Sequence, residues 1–133
     1  MPKPPLPDDI SAFLAQPNPA VMGTIGPSGP VTVATWYFWE DGRILINLDE
    51  SRKRVEHLRA DPRVSLTALA EDWYTHVSVQ GRVVDLFDDE GLADIDRLSR
   101  HYTGHEYGRR DRGRISAWIE VDRWHGWGKF AGR

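Results

Sequence analysis

Two apolar runs, 31–39 and 44–48, are separated by Glu40-Asp41-Gly42-Arg43 alone, with the turn at Glu40-Asp41-Gly42. Strands joined by so short a turn cannot run parallel, because a parallel crossover needs a dozen residues or more. Asp-Gly is also the pairing that tight hairpin turns favour, since it tolerates positive φ. This one feature commits the chain to an antiparallel meander. Other segments extend it. Ala20 to Ile25 is a short apolar run closed by the connector Gly26-Pro27-Ser28-Gly29-Pro30. Val64 to Leu69 reads as a strand, as does Tyr74 to Val84, where Val77, Val79, Gly81 and Val83 alternate with polar residues. Gly81 in mid-strand implies a bulge or a close approach by another group. Ile115 to Val121 supplies the last strand.

Three helices interrupt this pattern. Asp8 is positioned to cap one that runs to about Ala15, where Pro17 and Pro19 end it. Ser51 to about Ala60 is the second, with Val55 and Leu58 on its apolar face and Asp61-Pro62 as its stop. Asp88 caps the third, which carries Leu92, Ile95, Leu98 and Tyr102 on one side. Six strands with short helical inserts indicate a mostly β, antiparallel small barrel. A chain of 133 residues with 40% apolar content is one domain spanning 1–133, with residues 1–6 and 128–133 expected as flexible tails.

Charge and composition exclude several functions. A net charge of −3 gives no overall attraction for nucleic acid or anionic lipid. No apolar stretch is long enough to cross a membrane. The absence of cysteine removes thiolate catalysis and zinc–thiolate sites, and is compatible with a reducing cytoplasm. There is no Gly-x-Ser-x-Gly elbow and no Gly-x-Gly-x-x-Gly opening a helix, so neither a serine hydrolase nor a Rossmann dinucleotide site is legible. His101 and His105 share i, i+4 spacing, but Gly104 lies between them and no third ligand converges; no metal site is expected. No acid–base dyad stands out.

Ser51-Arg52-Lys53-Arg54 opens a helix, where the unpaired N–H groups already make the backbone positive. Each added cation is disfavoured there by about 0.3–1 kcal/mol. A bound phosphate reverses that sign, accepting bonds from amides, the Ser51 hydroxyl and the guanidinium groups. The competing reading is a solvated face neutralised by Asp49 and Glu50.

The run from Pro30-Val31 through Tyr37, the Asp41-Gly42 turn, Ser51-Arg52-Lys53-Arg54, then Leu58-Arg59-Ala60-Asp61-Pro62-Arg63-Val64-Ser65 and Val77-Ser78-Val79-Gln80-Gly81 resembles the pyridoxamine 5'-phosphate oxidase-like split barrels. Within them it is most similar to the short actinobacterial branch that uses coenzyme F420, a deazaflavin. The resemblance implies a six-stranded split β-barrel and a cytoplasmic homodimer with cofactor sites between subunits. It implies phosphate contacts from Arg52 and Arg54, with Ser51 and Lys53 beside them. Thr35, Trp36 and Tyr37 match the strand along the tricyclic ring, Asn47 matches a position near the cofactor, and Trp73 or Tyr74 matches an aromatic of the partner subunit. The implied activity is F420-dependent hydride transfer to a small conjugated substrate. FMN in place of F420, or a non-catalytic flavin or tetrapyrrole carrier, are the alternatives. The Arg-x-His-x-Arg type ending of true pyridoxamine phosphate oxidases is absent: the chain closes Val121-Asp122-Arg123-Trp124-His125-Gly126-Trp127.

Overall fold

The computed structural model of the protein describes residues 1–133. The order is α1 (Asp8–Leu14), β1 (Ala20–Gly26), β2 (Gly29–Thr35), β3 (Phe38–Glu40), β4 (Arg43–Asp49), α2 (Lys53–Ala60), β5 (Arg63–Leu69), β6 (His76–Asp88), α3 (Ala93–Thr103) and β7 (Arg114–Trp127). All pairings are antiparallel, in one sheet of order β2-β1-β5-β6-β7-β4-β3.

The two edges of that sheet, β2 and β3, are consecutive in the chain. Only Trp36 and Tyr37 separate them. Three Cα–Cα steps reach about 11 Å at most, so the edges must come together and the sheet must curl into a barrel. The ladder is interrupted at that seam, which makes the barrel a split one. The count is seven strands rather than the expected six because the run 31–39 breaks at Trp36–Tyr37 into β2 and β3.

Local sequence explains the turns. Asp41 and Gly42 hold φ of 53° and 74°, which sets Glu40 opposite Arg43 in a two-residue hairpin. Gly26 pairs with Gly29 in the other tight hairpin. Gly81 shows both features expected of it: the register with β7 shifts between Gln80 and Gly81, and a Cβ there would collide with the backbone carbonyl of Glu120.

Inward-facing residues fill the barrel. Met22, Leu66, Val77, Val79, Ile46, Ala117 and Ile119 are all buried, and Ile10, Phe13 and Leu14 of α1 join the same cluster. Leu45 faces the other way along β4 and is buried too, as are Ile95 and Leu98 of α3. β6 runs on to Asp88 and β7 to Trp127, both well past the ends read from the sequence. The two termini expected as free tails make defined contacts. Gly128–Phe130 form a 3₁₀ turn whose Phe130 is 2% exposed and packs on Phe13 with ring centroids 5.2 Å apart. At the other end the Trp124 amide and indole N–H groups donate to the carbonyls of Pro2 and Lys3. A short C-terminal run with one aromatic residue looks like a tail in sequence; α1 supplies the apolar surface that captures it.

Phe130→Ala should therefore destabilise the protein by about 3 kcal/mol or more, as buried phenylalanine truncations do. The denaturant midpoint measures this; a midpoint equal to that of the unaltered protein would show the C-terminus to be dispensable.

Candidate functional site

The broken seam opens onto a cleft of about 700 Å³, within the usual range for small-molecule sites. Ala34, Thr35 and Trp36 form one side, Asn47, Leu48 and Asp49 of β4 the floor, Arg52 and Arg54 one rim, and Tyr102, Tyr107, Arg109 and Arg114 the far wall. At the break between β2 and β3 the two side chains part: Tyr37 is fully buried, its hydroxyl accepting from Asn18 Nδ2 at 3.0 Å, and Trp36 next to it lines the cleft. Trp36 stacks on Tyr102 at 5.4 Å and 14°, and meets Tyr107 edge-on at 6.3 Å. The Tyr102 hydroxyl donates to the carbonyl of Asn18 and accepts from the Tyr37 amide, and burial pushes it up to about 12. It stays a neutral structural group at ordinary pH.

The cationic rim is unusual in lacking counter-charges. Arg52 occupies the N-cap of α2, and no side chain caps that helix. Asp49 does not neutralise the cluster. Its carboxylate is engaged by the Ser51 amide and hydroxyl and by Arg112, which hold it well below the usual carboxylate range. Glu50 makes no ion pair. Burial first, and the Arg52 charge second, push Arg54 below its ordinary value, and Arg54 Nε is buried with no hydrogen-bond partner. Of the four arginines lining the cleft, only Arg109 has a carboxylate partner, Asp111. The residues present fit an anionic, phosphate-bearing ligand.

The loop between α3 and β7 carries part of the wall and is held by one buried carboxylate. Asp96 accepts two bonds from Arg110, at 2.8 and 3.0 Å, and one from the Tyr107 amide at 3.0 Å. Arg110, and then the Tyr107 amide, hold its carboxyl below the usual range.

The cleft brings together Thr35, Trp36, Asn47, Arg52 and Arg54. Tyr37 does not reach it: it lies in the break between β2 and β3, where its side chain turns into the core. Ser51 spends its hydroxyl on Asp49, and Lys53 is exposed on the first turn of α2 outside the cleft. Trp73 and Tyr74 stand exposed on the β5–β6 connection, away from the cleft of their own chain. Asp89, rather than Asp88, serves the start of α3, accepting from the Asp94 and Ile95 amides. His101 stacks on Phe38, and His105 is exposed on the following loop, so the two do not converge. Tyr102, Tyr107 and Arg114 also line the cleft, though no motif in the sequence marks them. Arg114 opens β7 two residues from the buried Ser116, a parity that needed the strand's true start to be readable.

The sequence matches the family model described as pyridoxamine 5'-phosphate oxidase over residues 6–128. The chain belongs to that family. Its members include oxidoreductases, and flavin-type cofactors are what the family binds. Among solved structures, an F420 reductase superposes with a TM-score of 0.82 at 21% identity, covering 90% of this chain and 98% of that one. A conserved hypothetical protein of Mycobacterium tuberculosis gives 0.72 at 25% identity, covering 94% and 86%. General Stress Protein 26 of Bacillus anthracis gives 0.70 at 16%, covering 90% and 92%. These likenesses establish the split-barrel fold. No curated protein matches the sequence.

Two outcomes follow from the site's electrostatics. Replacing Arg52 and Arg54 together by Ala should weaken binding of a phosphorylated cofactor by several kcal/mol, at about 1.5–3 kcal/mol per charge-assisted bond. Folding stability should hold or rise slightly, since a helix N-terminus disfavours cations; unchanged affinity with collapsed stability would make the cluster structural. For Asp96 the folded carboxyl titrates below the unfolded one, so its stabilisation is complete above the unfolded value of about 3.9 and is lost as pH falls through the folded value. The stability gap between the unaltered protein and Asp96→Asn should be constant from pH 8 to about 5 and shrink below about 4. A gap independent of pH in denaturation curves would contradict this.

Proposed function

We propose that this protein is an F420-dependent oxidoreductase acting on a small conjugated substrate. The observation that carries the reading is the pairing of an aromatic wall, Trp36, Tyr102 and Tyr107, with Arg52, Arg54 and Arg114, none of which has a carboxylate partner. A single terminal phosphate needs fewer cations than the cleft offers. A deazaflavin continues past its phosphate through a lactyl group into glutamates, and so presents further anionic groups.

When bound, that cofactor supplies hydride chemistry at its ring, which leaves the protein to bind, orient and exclude water. Trp36 and Thr35 would flank the ring, Arg52 and Arg54 would take the phosphate, and Arg109 and Arg114 would meet the outer carboxylates. No side chain is assigned as an acid or base. The FMN reading rests on the α2 rim alone, since Arg52 and Arg54 suffice for a phosphate monoester; a flavin or tetrapyrrole carrier would bind without turnover.

The proposal includes a homodimer. Trp73 at 71% exposure, Tyr74 at 56% and Trp127 at 46% leave large aromatic surface uncovered in one chain, and a second copy would cover it. Sedimentation at micromolar concentration should then give about twice 15.2 kDa. No helix of the chain is long and apolar enough to cross a membrane, and a cysteine-free chain suits the cytoplasm proposed for it.

Titration of the protein with F420 and FMN, followed by fluorescence, tests the cofactor. F420 should bind more tightly at low salt, with its advantage shrinking as salt rises from tens to several hundred millimolar, because exposed ionic contacts are screened. Tighter binding of FMN at every salt concentration would establish the flavin reading instead, and binding of neither would overturn both.

A further inference from the structure

Behind the cleft floor lies a directional chain of buried polar groups. Asp89 Oδ1 and Oδ2 accept from the Asp94 and Ile95 amides at the start of α3, at 2.8 and 2.9 Å. Asn47 Nδ2 donates to Asp89 Oδ2 and to Ser116 Oγ, each at 3.0 Å. Ser116 in turn donates to Asp94 Oδ2 at 2.7 Å. Asn47, Asp89 and Ser116 are 8%, 7% and 0% exposed.

This chain fixes which way the Asn47 amide faces. A carboxylate oxygen can only accept, and the Ser116 hydroxyl has already given its proton to Asp94, so both neighbours demand the NH₂ side. The Asn47 carbonyl oxygen is left facing Arg114, whose Nε donates to it at 2.6 Å. Flipping the amide would set donor against donor and oxygen against carboxylate. Tyr107 completes the seat, with its ring 4.9 Å from Arg114 Cζ and its hydroxyl 3.4 Å from Nη1. Arg114 is thus gripped by its Nε and one ring face, while Nη2 has no partner within the chain and the residue borders the cleft.

We propose that Asn47 is a positioning residue that aims the Arg114 guanidinium at an anionic group of the bound ligand, rather than a cofactor contact itself. The proposal rests on the reading of the cleft as an anion site. Three of the four hydrogen-bonding positions of Asn47 are spent inside the protein. A neutral amide there holds a cation without neutralising it, whereas a carboxylate would cancel the charge that the cleft presents.

Calorimetric titration with inorganic pyrophosphate at low salt tests this in four proteins: unaltered, Asn47→Leu, Arg114→Ala and the double variant. Each single change should weaken binding roughly tenfold, and the double variant should bind no more weakly than Arg114→Ala alone, since the two residues act as one unit. Unchanged affinity in Asn47→Leu, or losses that multiply in the double variant, would overturn the proposal. So would an unaltered protein that binds no pyrophosphate, and that result would overturn the anion site as well. If the cycle holds while neither F420 nor FMN binds, the cofactor reading fails and the positioning role stands. Should Asn47→Leu not fold, the Arg114 Nε–H resonance of the unaltered protein decides: it should exchange with solvent far more slowly than that of exposed Arg52, and equal rates would refute the hydrogen bond.

Discussion

The architecture turns on the two residues that join the sheet's edges. Tyr37 is drawn wholly into the core, and its backbone N–H donates to the Tyr102 hydroxyl while its own hydroxyl meets Asn18. A buried phenol without partners would cost several kcal/mol, so this anchor has one stable arrangement. Once Tyr37 is fixed, three things follow from it. The strand breaks, the barrel seam stays open beside the break, and Trp36 must face the cleft. Tyr102 ties α3 to the same point, so the helix that walls the cleft and the strand that borders it share an anchor.

Charge is distributed to serve that opening. Ion pairs are plentiful over the rest of the surface: Arg82 with Glu120 and Asp122, Arg97 with Glu40, Arg133 with Asp9. These exposed pairs contribute little individually. Their placement matters more, because they absorb cations elsewhere while Arg52, Arg54 and Arg114 remain unpaired around one concavity. A chain with a net charge of −3 thereby keeps a local positive field, which low-dielectric walls concentrate. The uncapped start of α2 adds to it.

Such a field needs a rigid frame, and the buried polar groups supply it. Asp89 links the start of α3 to β4, Ser116 links β7 to α3, and Asp96 fastens the loop before β7. Networks of this kind are costly when incomplete and specific when satisfied. Here every member but Arg114 Nη2 has its partner within the protein. The site is built on strands and a helix, with the loop clamped to them, which favours a pre-formed pocket.

The barrel was legible in the sequence through local rules, Asp41-Gly42 for the hairpin, alternation in β6 and Gly81 for the bulge, and the family through its resemblance across the motifs from Pro30 to Gly81. Each local rule depends on residues a few positions apart. The site was legible only in part. Thr35, Trp36, Asn47, Arg52 and Arg54 do meet at the cleft, whereas Tyr37 turns into the core, because the strand break that sets its direction comes from barrel closure. The roles of Asn47 and Arg114 depend on a partner 67 residues away, on Asp89, and on the true start of β7. Hydrogen bonding across such distances leaves no local pattern, since any asparagine and any arginine could pair. The amino-acid order determined the strands, turns and charges; the closure of the sheet decided which side chains share a cavity and which way each one points.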